Sequence, residues 1–196
     1  MSKSMITAAT LTGLLALAPA FAQTATTSTT SKTTTAKAST TVTTSTLSSG
    51  DRKFLTDASQ GGMVEVELGK IAAQKASNAD VKSFGQRMVD DHSKANDQLR
   101  QVAASKSVKL SDKLSPAKQK EVEKYSKLSG AAFDSAYIHH MVSDHKVDVA
   151  EFQKESAKGK DTDVKSFATN TLPTLQDHLK MAMDISSKLH ASKSGR

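Results

Sequence analysis

Four long segments in the last three quarters of the chain carry apolar side chains at intervals of three and four residues. An α-helix has 3.6 residues per turn, so this spacing places the apolar residues on one helix face. The segments therefore predict four amphipathic helices. They run from about Arg52 to Lys75, from Ser77 or Asn78 to about Ser105, from Ser129 to Gly159, and from Asp161 to the end of the domain.

The connections between these helices predict how they pack. Two or three residues join the first helix to the second and the third to the fourth, so each pair forms an antiparallel hairpin. Residues 106–129 join the hairpins, and Ser115-Pro116 indicates a short helix there, with serine as its cap and proline in its first turn. Two hairpins with one long crossover make a ferritin-like four-helix bundle. We predict this all-α fold over residues 51–191.

Two features of the helical segments refine this picture. Asp80-Val-Lys-Ser-Phe84 opens the second helix, and the same five residues, Asp163-Val-Lys-Ser-Phe167, open the fourth. Equivalent openings in the second helix of each hairpin favour a pseudo-two-fold bundle. Pro173 lies inside the fourth helix, where we expect it to kink the helix or widen one turn.

The first 22 residues have the pattern of a secretory signal peptide. Lys3 precedes an apolar run from about Met5 to Ala18, and Ala20-Phe21-Ala22 provides a small-x-small cleavage step before Gln23. The run is short for a bilayer-spanning helix, although an uncleaved anchor is the alternative. We therefore expect export to the periplasm or cell envelope.

Residues 23–50 contain 13 Thr and 6 Ser and no acidic residue. Such a segment buries too little apolar surface to offset the entropy lost on ordering, which predicts a disordered linker. A glycosylated stalk is the compositional alternative. The predicted organisation is thus a signal peptide (1–22), a linker (23–50) and a helical domain (51–191).

Composition narrows the chemistry and the partners. The chain has no cysteine, which excludes disulfides, thiolate metal ligands and a cysteine nucleophile. Lys3, Lys32 and Lys37 precede the domain, so 24 of the 27 basic residues remain beside 20 acidic ones, a net charge of +4. Because these charges are interspersed, we expect no nucleic-acid partner and at most weak contact with anionic envelope polymers.

Four polar residues fall on the apolar faces of the four helices. Glu65 lies three residues before Leu68, and the other three are His92, His145 and His178, each three or four residues from an apolar residue of its stripe. A rise of about 1.5 Å per residue places all four within roughly 10 Å of one level in the bundle. An inward carboxylate and three inward imidazoles predict a metal site, or alternatively an internal hydrogen-bond network.

Several neighbours of these residues have open roles. Aspartates stand directly before the three histidines, and we expect them either to accept hydrogen bonds that orient the rings or to be solvated. Two methionines one turn before histidines either offer thioethers to copper or fill the core. These neighbours are Asp91, Asp144, Asp177, Met88 and Met141. The residues that fall off the apolar stripes and are predicted to lie at the surface are Glu67, His139, His140 and His190.

Three motifs resemble a known family. Gly61-Gly-Met-Val-Glu-Val-Glu-Leu-Gly-Lys70, the two Met-Val-x-Asp-His sequences that end at His92 and His145, and Thr171-Leu-Pro-Thr-Leu-Gln-Asp-His178 are similar to the exported bacterial proteins grouped as domain of unknown function 4142. The resemblance covers Lys53 to Leu189. It implies a ferritin-like fold and an exported protein, and it implies no particular activity.

The wider ferritin-like class suggests a di-iron carboxylate site, and the sequence departs from that pattern. Such a site uses Glu-x-x-His on two helices, whereas Val89, Val142 and Leu175 stand three residues before the histidines. With one inward glutamate, we expect at most a single divalent ion such as zinc, iron or copper.

Three functions are compatible with these observations. We expect first an exported, non-enzymatic protein that holds one metal ion or small ligand in the bundle core. The alternative is a structural or interaction protein of the envelope in stress tolerance, with purely structural histidines. A metal-dependent oxidoreductase is the third.

Overall fold

A computed structural model describes residues 47–194, and the predicted signal peptide and most of the predicted linker lie outside these residues. The described part forms five helices, α1 (Ser49–Lys75), α2 (Ala79–Ser105), α3 (Pro116–Ser126), α4 (Gly130–Lys158) and α5 (Thr162–Ser194). The four long helices form the predicted bundle, and α3 is the short crossover helix. No helix in residues 47–194 has the length and apolar character of a membrane span.

The helix ends follow the local rules that the sequence indicated. Ser48 accepts a hydrogen bond from the Asp51 N–H, so α1 begins three residues earlier than Arg52. Asn78 caps α2, and Ser115 with Pro116 begins α3 as expected. Gly159 ends α4. The last helix is continuous through Pro173, and a kink there stays a prediction.

Two buried aspartates hold the helical hairpins against each other. Asp51, in the first turn of α1, accepts hydrogen bonds at 3.0 Å from the backbone N–H groups of Lys160 and Asp161, in the α4–α5 turn. Asp134, near the start of α4, accepts in the same way from Ser77 and Asn78, in the α1–α2 turn. Each hairpin therefore satisfies the turn of the other, and α1 runs antiparallel to α4.

The other neighbouring pair, α2 and α5, is also antiparallel. Lys106 after the end of α2 binds Asp161 and Asp163 at the start of α5, and Asp80 at the start of α2 binds Lys188 near the end of α5. The crossover consequently travels the length of the bundle. Gln60 anchors it by accepting from the Ser115 N–H and donating to the Lys113 carbonyl.

The apolar core is divided into two clusters. One contains Phe84, Tyr137 and Met141 and fills the half of the bundle nearer the α1–α2 turn. The other contains Phe54, Phe152 and Phe167 and fills the half nearer the α4–α5 turn. The predicted apolar faces supply most of both clusters. A layer of polar residues lies between the clusters.

Close approach of α1 and α2 requires two glycines. A Cβ atom on Gly69 would lie 2.6 Å from the Gly85 carbonyl oxygen, and one on Gly85 would lie 2.5 Å from the Ala72 Cβ. Any side chain at either position forces the two backbones apart, which would move the polar layer as well.

Glu155 provides a test of the contacts that Asp51 makes with the α4–α5 turn. Burial, the hydrogen bond to Asp51 and the charge of Asp51 together raise the pKa of Glu155 to about 7. The protonated form is therefore favoured in the folded state, and its contribution to stability is complete below the unfolded pKa and lost as the pH rises through 7.

We expect Glu155→Gln to match the parent in melting temperature at pH 5 and to exceed it at pH 8.5. The amide donates to Asp51 at both pH values, and the gain should be roughly 2–4 °C, the shift given by about 1 kcal/mol in a domain of this size. Glu151→Gln, an exposed site on the same helix, is the control. If the variant and the parent differed in melting temperature by the same amount at both pH values, the raised pKa of Glu155 would be contradicted.

Candidate metal centre

The polar layer contains the four residues that the stripes brought inward. Glu65 on α1, His92 on α2, His145 on α4 and His178 on α5 are all buried, and the two last have no exposed surface. The rings of the three histidines lie 5.3–5.7 Å apart, centroid to centroid. The structure therefore brings together side chains that are far apart in the sequence.

His145 directs an unprotonated ring nitrogen toward the other residues of the polar layer. Its Nδ1 lies 3.1 Å from the Met141 carbonyl oxygen. A carbonyl oxygen only accepts, so Nδ1 carries the ring proton and Nε2 keeps its lone pair. That lone pair faces His178 Nδ1 and Glu65 Oε1, each at 3.4 Å.

His178 has the complementary arrangement. Its Nε2 lies 2.8 Å from Asp91 Oδ2, and Asp91 also binds Arg87. Burial would raise the pKa of Asp91, but the hydrogen bond from His178 and the Arg87 charge lower it, so Asp91 is an ionised acceptor. His178 Nε2 therefore carries the proton, and Nδ1 presents a lone pair to the lone pair of His145.

His92 completes the set. Its Nδ1 lies 2.9 Å from Glu65 Oε2, which makes Nδ1 the donor when Glu65 is ionised. The other nitrogen, Nε2, is buried and has no hydrogen-bond partner. With Glu65 ionised, each histidine donates its single N–H to a fixed acceptor, the usual way in which a protein orients imidazole ligands.

None of the three imidazoles takes up a second proton at neutral pH, although the nitrogen lone pairs of His145 and His178 face each other. Burial lowers the pKa of His92 to about 4. Burial together with the neighbouring imidazoles lowers the pKa of His178 to about 4 and that of His145 to about 3. At neutral pH all three rings are neutral. One nitrogen of each lies within 4.8 Å of one nitrogen of each of the others. The three rings therefore lie close enough together that they could hold a cation.

A second carboxylate, Asp148 on α4, joins the site and was missed from the sequence. Glu65, His145 and Asp148 also offer ligand atoms within 4.8 Å of one another. Burial raises the pKa of both carboxyl groups well above their ordinary values, and the charge of Asp144 raises both further. Asp148 is therefore a carboxylate in addition to the one inward glutamate that the sequence predicted.

The internal repeat contained the information needed to find Asp148. The pairs Asp51 and Asp134, and Asp80 and Asp163, are each separated by 83 positions. The same shift relates Glu65 to Asp148, so the pseudo-two-fold axis places the two carboxylates in equivalent positions on α1 and α4. Asp148 also lies three residues after His145, on the same helix face.

The remaining predicted neighbours have different environments. Asp91 is hydrogen-bonded to a histidine, although that histidine is His178 on α5 and not the adjacent His92. Asp144 is half-buried, and Asp177 is exposed. The side chains of Met88 and Met141 are fully buried in the apolar cluster.

Of the residues predicted at the surface, His139 and His190 are exposed. His140 is not, because it packs on Tyr125 and pairs with Glu121 of α3 at 3.0 Å.

The family of the chain agrees with this fold. Residues 34–185 match the family described as domain of unknown function DUF4142. The chain belongs to this family. The match begins before Lys53, the residue at which the resemblance in the sequence becomes visible. No curated protein matches the chain in sequence.

Two solved structures share the fold. A fragment of a DUF305 protein from Deinococcus radiodurans superposes with a TM-score of 0.63 at 13% identity, covering 72% of this chain and 98% of that one. The second is a dodecameric thioferritin, the bacterioferritin-related protein from Bacteroides fragilis, with a TM-score of 0.59 at 14% identity, covering 74% of this chain and 89% of that one. At these identities the similarity concerns the fold alone.

The buried carboxylates predict a cost in stability without a bound cation. We expect Asp148→Asn to raise the melting temperature of the metal-free protein at pH 8 by about 2 °C or more. The amide cannot ionise, whereas burial beside Glu65 opposes the ionisation of Asp148 that pH 8 favours in the unfolded chain. Asp177→Asn, at an exposed position, should leave it unchanged. A lower melting temperature for Asp148→Asn would show that the Asp148 carboxylate stabilises the metal-free bundle.

Proposed function

We propose that this protein binds one divalent metal ion through His92, His145, His178 and Glu65, with Asp148 as a further carboxylate at the site. The observation that carries the proposal is the direction of the imidazole protons. His145 and His178 donate to Met141 and Asp91, and His92 donates to Glu65 once that carboxyl group is ionised, which leaves a neutral nitrogen lone pair on each ring of this buried group.

The charge balance supports a divalent ion. Three neutral imidazoles contribute no charge, and two ionised carboxylates neutralise a charge of two. Nitrogen and oxygen donors without sulfur suit zinc, iron or copper as divalent ions. Binding would displace protons from Glu65 and Asp148, whose raised pKa values favour the protonated forms in the absence of a cation.

The site holds one ion and not two. The three-histidine group and the group of Glu65, His145 and Asp148 share His145. Its Nδ1 is bonded to the Met141 carbonyl, so only Nε2 is available to either group. The donors consequently form a single centre, unlike the di-iron sites built from two Glu-x-x-His motifs.

Metal analysis of the purified, untagged protein tests the proposal. We expect about one ion per chain in the parent and in His139→Ala/His190→Ala, and none in His92→Ala/His145→Ala. Zinc added at about 100 times its dissociation constant should stabilise the parent by about 2.7 kcal/mol, or roughly 5–10 °C, and leave the double site variant unchanged. Equal metal content in the two double variants, or no metal and no stabilisation in the parent, would contradict it.

We also propose that the protein works in the periplasm or cell envelope. The support is the N-terminal pattern of Lys3, an apolar run and Ala20-Phe21-Ala22. We expect N-terminal sequencing of the protein from an expressing bacterium to begin at Gln23, and Ala22→Leu to slow the processing. A mature protein that begins at Met1 or Ser2 would contradict processing by a signal peptidase.

A further inference from the structure

A small cavity lies beside the candidate metal centre, on the side of the apolar cluster that contains Phe152 and Phe167. Its volume is about 20 Å³, and its lining includes Glu65, His92 and Asp148. A cavity needs on the order of 10–15 Å³ to hold a water molecule. The space therefore admits one molecule of about that size.

Two buried polar atoms without hydrogen-bond partners belong to residues that line this cavity. They are Glu65 Oε1 and His92 Nε2. Both residues are ligands of the ion in the proposed metal site, so the cavity borders the coordination sphere of that ion. The rest of the lining is largely apolar, from Phe152, Phe167 and Leu175, which leaves little room for a larger polar ligand.

Part of the cavity lining lies near the protein surface. Ala58, Gly61, Thr171 and Asp148 are partly exposed, whereas Glu65 and His92 are buried. A Cβ atom on Gly61 would meet nothing within 4 Å, so there is open space beside this residue. The lining thus extends from partly exposed residues to the buried residues of the proposed ligand set.

We propose that this cavity is the site of a water-sized exogenous ligand of the bound ion, such as water, hydroxide or a diatomic gas, and that it excludes larger ligands. The inference rests on the proposed metal site. The protein residues then supply the nitrogen and carboxylate ligands, and the cavity supplies the one coordination position that exchanges with solvent.

Nitric oxide and imidazole are suitable probes of this size limit. The full-length protein is loaded with iron(II) under anaerobic conditions, its metal content is measured, and electron paramagnetic resonance follows nitric oxide binding. We expect about one iron-nitrosyl per bound iron in the parent, and no displacement of the nitrosyl by imidazole.

Two substitutions at Gly61 test the position of the ligand. Gly61→Leu should narrow the cavity and lower the affinity for nitric oxide at least tenfold, with the iron content unchanged, while Gly61→Ala should behave like the parent. Both replace a helical glycine, so neither is expected to weaken the helix. A Leu175→Ala variant enlarges the cavity from the buried side and should admit imidazole.

The possible failures are distinguishable. Bound iron without a nitrosyl would overturn the ligand cavity and leave the metal site in place. Nitrosyl formation that is unaffected by Gly61→Leu, or imidazole binding to the parent, would overturn the position or the size limit of the cavity. A parent that binds no iron would remove the basis of both proposals.

Discussion

The polar layer of this bundle depends on where three histidines place their only ring proton. Each imidazole is buried and neutral. His145 and His178 donate to the Met141 carbonyl and the Asp91 carboxylate, and His92 donates to Glu65 when that carboxyl group is ionised. One nitrogen of each ring lies within 4.8 Å of one nitrogen of each of the others. A cation would satisfy all three acceptor nitrogens at once, and this is the basis of the proposed metal site.

At each end of the bundle that holds this layer, a buried aspartate accepts hydrogen bonds from the backbone of a helix–helix turn. Asp51 binds the turn of the second hairpin, and Asp134 binds the turn of the first. Because these positions are equivalent under the internal repeat, the two hairpins are fixed in register, and their midpoints meet. The proposed metal ligands come from all four long helices, so any slippage of one hairpin would separate them. The contacts at the two ends of the bundle therefore keep the residues of the polar layer together.

Much of this architecture was predictable from local chemistry. Ser115-Pro116, Asn78 and Gly159 marked helix ends, short turns required hairpins, and the stripes brought Glu65, His92, His145 and His178 inward. Asp148 was missed because a lone aspartate beside valines usually faces solvent, and its burial results from packing against other helices. The ring tautomers could not be predicted from the sequence, since they depend on acceptors that the fold supplies, such as the Met141 carbonyl. Asp91 is a second example, because it accepts from His178 on α5 and not from the adjacent His92.

X-ray absorption spectroscopy of the zinc-loaded protein measures whether three histidines bind one metal ion. We expect a shell dominated by imidazole nitrogen at about 2.0–2.1 Å, with multiple scattering from three rings and the remaining positions filled by oxygen. His178→Ala should lower the imidazole contribution to two rings. A shell of oxygen alone, or a spectrum unchanged by His178→Ala, would contradict the assignment of the three inward lone pairs to one metal ion.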